Sequence, residues 1–175
     1  MIRDLDPRFF TAVSMHAPTS EEKRKPFLAR FMEQIPEAGR FLFMDSGWMS
    51  EICHDVLTDD MDERAYNEIN AFEKELTDWG AIVIKFWVHI DKDTQLQRFT
   101  ERQNTPEKQW KITDEDWRNR EKWDAYETAV DEMIAKTSTT YAPWHILESN
   151  DKHYARLKAL RILVENLEQA LDSKK

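Results

Sequence analysis

Residues 81–89 read AIVIKFWVH and open on four consecutive apolar side chains, Ala81 to Ile84. A strand wetted on one face alternates polar and apolar residues; a continuous run marks a strand covered on both faces, as in parallel sheet. Parallel neighbours cannot be joined by a tight turn, so each needs a crossover of a dozen or more residues, usually helical. The flanking sequence supplies such crossovers. Short apolar runs at 9–14 (FFTAVS), 40–44 (RFLFM) and 144–148 (WHILE) predict three more strands. Between and after them lie segments with apolar residues at spacings of three and four, the signature of helices with one buried face. This alternation predicts an α/β fold with a parallel sheet and helices on both faces.

Helix boundaries follow from local chemistry. Thr19 and Glu22 form a T-x-x-E capping box, so residues 18–35 read as helical with a restart at Pro26, and with Phe27, Phe31 and Ile35 facing inward. Residues 48–57 read as a short helix. Asp59 or Asp60 starts a longer one that carries Ala65, Ile69, Phe72 and Leu76 inward and stops at Gly80. Asp91 caps a helix holding Leu96 and Phe99. Residues 103–112 show no periodicity and read as a loop. Thr113 with Asp116 caps a helix to about Lys136, and Asn150 or Asp151 caps a last one, with a charged tail from Asp172 that should fray.

Composition sets outer bounds. A chain of 175 residues suits one domain, and no repeat or linker divides it, so residues 1–175 are expected to form a single domain. The formal charge of −9 argues against binding a nucleic-acid polymer, which needs surplus cations. No run of about 18 apolar residues exists to cross a membrane. The N-terminus, MIRDLDPRFF, lacks a signal peptide's apolar stretch, and Cys53 is the sole cysteine, which together make the cytoplasm the default expectation. Only three glycines occur, Gly39, Gly47 and Gly80, and their spacing matches neither G-x-x-x-x-G-K-[ST] nor G-x-G-x-x-G.

Two groups of side chains carry chemistry. Asp45 follows an apolar strand directly, where ligands of open α/β sheets bind; a carboxylate there suits magnesium shared with phosphate oxygens, or a helix cap. Arg98, Arg102, Lys108 and Lys111 place four cations within 14 residues. Arg98 and Arg102 share a helix face and the lysines lie in the loop beyond, an arrangement that can clamp a polyanion or form a solvated face paired with Glu101 and Glu107. The five histidines show no metal-ligand spacing. His89 and His145, in or beside strands, read as structural.

The stretch KFWVHIDKDTQLQRFTERQNTPEKQWKITDEDWRNREKWDAYETAVDEMI, followed by TSTTYAPWHILESNDKHYARLKAL, resembles the polyphosphate kinase 2 family. The basic lid, P-x-K-x-W-K, D-W-R-N-R-E-K-W and Y-A-P-W occur in that order over Lys85 to about Arg161. The resemblance implies a three-layer P-loop kinase-like sheet with helices on both faces and a helical lid, here about residues 98–112. It implies magnesium-dependent phosphoryl transfer between inorganic polyphosphate and a nucleoside mono- or diphosphate (AMP/ADP or ADP/ATP), with a homo-oligomer as the family's habit. It assigns Asp45 to magnesium and catalysis, Arg98 and Arg102 to catalysis, and Trp48, Lys108 and Lys111 to substrate binding. MDSGWMSE departs from the family's F-D-R-S-W-Y-x-R: Ser46 and Glu51 stand where two arginines are expected, and His54 and Asp55 replace a Val-Glu pair. The family's first strand and Walker A loop, which normally precede the LDPR-type segment, have no counterpart. The resemblance therefore implies an N-terminally incomplete domain that works with a P-loop supplied elsewhere, or alternatively a non-catalytic structural or regulatory domain that pairs with an active one. A third reading is an acidic interaction module that keeps only the fold.

Overall fold

The computed structural model describes residues 5–48 and 63–172, apart from the side chain of Glu115. The chain divides into two compact units, Met1–Ala81 and Ile82–Lys175. Each contains one pair of parallel strands.

In the first unit, β1 (Phe10–Ser14) pairs with β2 (Phe41–Asp45), Phe10 opposite Phe41 and Ser14 opposite Asp45. The crossover is less helical than expected. Thr19 and Glu22 do make the reciprocal bonds of a capping box: the Thr19 amide donates to Glu22 Oε2 at 2.7 Å and the Glu22 amide to Thr19 Oγ1 at 3.2 Å. Only a 3-10 turn, Glu22–Arg24, follows before Lys25 becomes extended (ψ 162°), and one turn of α-helix, α1 (Ala29–Met32), forms later. The residue before a proline is pushed away from helical backbone, so Pro26 ends the first turn rather than bending a single helix. Phe31 is fully buried, as predicted, and Leu28 joins it.

The helix α2 (Glu63–Trp79) buries Tyr66, Ile69, Phe72 and Glu73. Ile69 and Phe72 were expected inside; Ala65 and Leu76 are half-buried instead. Gly80 (φ 106°) ends α2 in the left-handed region. Its amide donates to Thr77 O at 3.0 Å and that of Ala81 to Leu76 O at 3.0 Å, the Schellman pattern that a glycine permits. The predicted start of the longer helix at Asp59 or Asp60 lies outside the described residues, and so does the short helix expected over 48–57 apart from Trp48, which is in a turn.

In the second unit, β3 (Lys85–His89) pairs in parallel with β4 (Trp144–Glu148), Lys85 opposite Trp144 and His89 opposite Glu148. The expected strand over 81–89 is therefore shorter: residues 81–84 have no ladder partner among the described residues, since β4 supplies five residues and no more. The crossover carries α3 (Lys92–Gln103), a 3-10 turn over Pro106–Lys111 where a loop was expected, α4 (Asp114–Glu121) and α5 (Trp123–Thr137). A single helix was expected for the last two. Lys122 breaks it, with φ −96° and ψ 24°. Thr113 and Asp116 close a full capping box at the start of α4. The helix α6 (Lys152–Asp172) returns along β4, and Leu147, Ala155 and Ala159 pack with Phe86 and Ile162.

The result is an α/β chain with parallel strand pairs. Among the described residues the four strands form two separate two-stranded sheets rather than one ladder.

Candidate functional site

The carboxyl ends of β3 and β4 are tied together by a set of polar bonds that the sequence only partly announces. The Ser149 amide, just past β4, donates to His89 O at 2.7 Å. Asp91, the cap of α3, accepts from the Thr94 amide at 2.6 Å and from Asn150 Nδ2 at 2.5 Å, while its own amide donates to Asn150 Oδ1 at 3.2 Å. The Thr94 amide chiefly, with help from the Thr94 and Asn150 side chains, holds the Asp91 carboxyl below the usual carboxylate range. Asp151 begins α6 by accepting from the His153 amide at 2.8 Å and the Tyr154 amide at 3.2 Å. Those bonds, the Tyr154 one first, lower its pKa. Of the two candidate caps, Asp151 holds the helix and Asn150 latches the strand ends.

Arg98 enters this arrangement from α3. Its Nη2 donates to Ser149 O at 2.5 Å and to Asn150 O at 3.2 Å. The guanidinium thus grips the turn that leads from β4 into α6. Beside it opens a shallow cleft of about 410 Å³, with Thr94, Gln97, Arg98 and Glu101 on one wall and Asn150, Asp151, Lys152 and His153 on the other. Lys152 and His153 were not singled out by motif reasoning. Their signal was positional: they open the helix that follows a strand end.

The other lid cations are spread along the flap. Lys108 Nζ lies 2.9 Å from Glu101 Oε1, an exposed pair, and that bond holds the Glu101 carboxyl below its ordinary range. Lys111 stands over the Trp110 ring at 5.1 Å, with Trp110 itself 76 % exposed. The Arg102 guanidinium makes no hydrogen bond among the described residues. Arg120, further along, is tied to Lys92 O at 2.6 Å and Gln95 Oε1 at 3.0 Å, which fastens α4 to α3.

In the first unit, Asp45 ends β2 with an exposed side chain, and its carbonyl accepts from the Met15 amide at 3.1 Å. The next residue, Ser46, has φ 56°, the left-handed region that a non-glycine residue rarely occupies. Trp48 lies in that unit's core. Its indole N–H donates to Glu73 Oε1 at 3.0 Å, and its ring meets Phe31 and Phe72 edge-on at 6.3 and 5.2 Å. Glu51, His54 and Asp55 lie outside the described residues. The structure brings Arg98 to the strand ends and spreads Arg102, Lys108 and Lys111 along the flap; Asp45 and Trp48 belong to the other unit.

Lys85 is a buried polar residue that motif reasoning passed over. It sits in β3 with Nζ donating to Thr137 O at 2.7 Å and stacked over the Trp144 ring at 5.3 Å. Trp144 Nε1 in turn donates to Thr137 Oγ1 at 2.9 Å. A charged residue interrupting an apolar strand was the available clue; its partners are structural.

Comparison with known proteins sets this geometry in context. The family model for polyphosphate kinase 2 matches residues 1–175. The chain belongs to the polyphosphate kinase 2 family. A polyphosphate:AMP phosphotransferase of Pseudomonas syringae pv. tomato is 47 % identical over 177 residues, covering 98 % of this chain and 36 % of the relative. One from Acinetobacter johnsonii is 41 % identical, covering 99 % and 37 %. The crystal structure of polyphosphate kinase 2 from Arthrobacter aurescens TC1 superposes with a TM-score of 0.91 at 36 % identity, covering 96 % of this chain and 61 % of that one. The chain thus spans about a third of the length of these two curated relatives. No helix among the described residues is long and apolar enough to cross a membrane.

Proposed function

We propose that this polyphosphate kinase 2 chain serves magnesium-dependent phosphoryl transfer between inorganic polyphosphate and a nucleoside mono- or diphosphate, with AMP as the favoured acceptor. The observation that carries the reading is the family match over the whole chain together with a basic flap that retains Arg98, Arg102, Lys108 and Lys111. The acceptor follows from the relatives. Three at 41–47 % identity are polyphosphate:AMP phosphotransferases, whereas those named for ADP, GDP or NDP are 30–34 % identical.

Transfer of a phosphoryl group is catalysed by positioning and by neutralising charge on the phosphate oxygens. The flap cations suit that role. Lys108, Lys111 and Arg102 face solvent or half-face it, so a phosphate chain would exchange Lys108's bond to Glu101 for bonds to its own oxygens. Arg98 holds the turn beneath, and Lys152 and His153 border the same cleft. Asp45 suits magnesium: an exposed carboxylate at a strand's carboxyl end, in keeping with an ion held by one or two carboxylates plus substrate phosphates. Bound there, the ion would supply charge neutralisation at the phosphates. Trp48 would support the Asp45 turn through its bond to Glu73 rather than stack on a base. Since the glycines lack P-loop spacing, the reading includes a phosphate-cradling loop supplied by residues outside this sequence, in the same longer protein or in a partner. The protein would then work as a cytoplasmic homo-oligomer or paired domain.

The test is polyphosphate binding and ADP formation by the purified chain with magnesium, long-chain polyphosphate and AMP, against Asp45→Ala and Lys108→Ala/Lys111→Ala. Binding of polyphosphate that the double lysine variant weakens, with turnover dependent on Asp45 once a P-loop-bearing relative is added, is the expected result. A folded chain that binds neither polyphosphate nor AMP overturns the proposal.

A further inference from the structure

The basic flap carries an anion of its own. Glu101 shares a face of α3 with Thr94, Gln97 and Arg98, and these four form one wall of the cleft whose other wall includes Lys152. Seven positions further on, Lys108 Nζ reaches Glu101 Oε1 at 2.9 Å. The bond from Lys108 first, and then the charges of Lys108, Lys152 and Arg102, hold the Glu101 carboxyl below its ordinary range. One carboxylate thus feels cations from three elements: α3 itself, the 3-10 turn and the start of α6. The acids at the neighbouring strand ends are spent differently. Asp91 and Asp151 accept backbone amides and so cap α3 and α6.

The ion pair is not what places the turn. Thr105 Oγ1 donates to Glu101 O at 2.7 Å, the Lys108 amide to Thr105 O at 2.8 Å, and Gln109 Nε2 to Gln103 O at 2.9 Å. All three bonds end on backbone carbonyls, so the turn stays folded against α3 when the Glu101 carboxylate lets go. The side chains of Lys108 and Glu101 are 46 % and 57 % exposed, and a pair so wet contributes little to stability. A polyphosphate chain is a row of anionic oxygens that compete for the same ammonium. We infer that Glu101 is an internal competitor of polyphosphate: its carboxylate occupies Lys108 in the free flap, is displaced when a phosphate chain takes that ammonium, and so sets the affinity of the clamp below what its cations alone would give. This rests on the phosphoryl-transfer reading and names a residue that tunes it. Binding that is equally strong before and during transfer does not speed the chemical step. A carboxylate that reclaims Lys108 therefore leaves the chemistry untouched and favours release of the spent chain.

The experiment is calorimetric titration of the 175-residue chain with long-chain polyphosphate in magnesium-free buffer, so that no metal bridges carboxylate and phosphate. Glu101→Gln keeps the size of the side chain and removes its charge. It should lower the dissociation constant by roughly two- to fivefold, the scale of one exposed ion pair, with the thermal melt unchanged within about 1 °C. Glu107→Gln is the control. It removes the same charge from the turn that holds Lys108, where Glu107 makes no ion pair among the described residues, and should change the affinity far less. In a Lys108→Ala background the gain from Glu101→Gln should shrink, as a double-mutant cycle on a direct pair requires. A Glu101→Gln chain that binds no tighter than its parent overturns the inference, while the parent's own binding leaves the phosphoryl-transfer reading standing. An equal gain from Glu107→Gln, or a gain that survives whole without Lys108, overturns it as well by reducing the effect to net charge. A folded parent that binds no polyphosphate overturns both.

Discussion

Replacing Arg98 by alanine separates two uses of one guanidinium. In the structure Nη2 serves the carbonyls of Ser149 and Asn150 at 2.5 and 3.2 Å. A net hydrogen bond from a charged donor contributes about 1.5–3 kcal/mol when well formed. The Ser149 bond is short and partly buried and falls near the lower end of that range; the Asn150 bond is longer and exposed and adds only a few tenths, so about 2 kcal/mol is the reasonable sum. For a chain of this size that corresponds to a fall in melting temperature of about 4–8 °C. The loss should be local. Ser149 is buried and its amide is bonded to His89 O, so loosening the turn should speed exchange of that amide by roughly 30-fold, since each 1.4 kcal/mol is a factor of ten. Arg98→Lys should fall between, because an ammonium reaches one carbonyl without the fork. The assays are a thermal melt and amide exchange read at residue 149. An Arg98→Ala chain that melts within about 1 °C of the parent, keeps Ser149 protection and loses only polyphosphate affinity would refute the turn-clamp argument and assign the guanidinium to ligand.

Three further outcomes follow from the same geometry. Lys108→Ala and Lys111→Ala remove exposed contacts to Glu101 and Trp110; the melting temperature should hold while polyphosphate affinity falls roughly tenfold or more per contact, measured by calorimetric titration. Ser46→Gly should stabilise by about 0.5 kcal/mol, because φ 56° penalises a Cβ by more than glycine loses in chain entropy, and a urea midpoint that drops instead would contradict the strain. His145 is held below its ordinary pKa, first by burial and then by Lys158. The unfolded chain therefore binds the proton more readily, so stability from this group is whole above the unfolded pKa and declines as pH falls from about 6.5 toward the lowered value; His145→Gln should flatten that part of a pH–stability curve.

Much of the fold was legible because it rests on local chemistry. The capping boxes at Thr19–Glu22 and Thr113–Asp116 are contacts between residues three apart, and both are present. The strand WHILE matches β4 residue for residue. The misreading of 18–35 was local, since the residue before Pro26 is pushed away from helical backbone; that of 81–84 comes from dependence on a neighbour that pattern cannot show. Residues 81–84 have the composition of a buried strand, yet a strand is paired only as far as its partner extends. The helix expected over 114–136 kept its apolar stripe across Lys122, but the chain turns there. The site was legible in part: the cations of the flap could be named, whereas Arg98's grip on two carbonyls more than 50 positions away could not.

The sequence by itself determined the alternation of strand and helix, the parallel pairing it demands, the helix caps and the identity of the basic flap, since these depend on periodicity and on residues a few positions apart. Only the tertiary structure decided that Trp48 points its indole at a buried glutamate, that Lys85 is held by Thr137 and Trp144, and that Leu157, Leu160 and Leu171 of α6 are exposed. Burial and long-range hydrogen bonding are properties of what the chain brings alongside a residue. An apolar stripe states that a helix face should be covered; the packing alone shows by what, Leu147 and Phe86 for Ala155, Ala159 and Ile162 of α6.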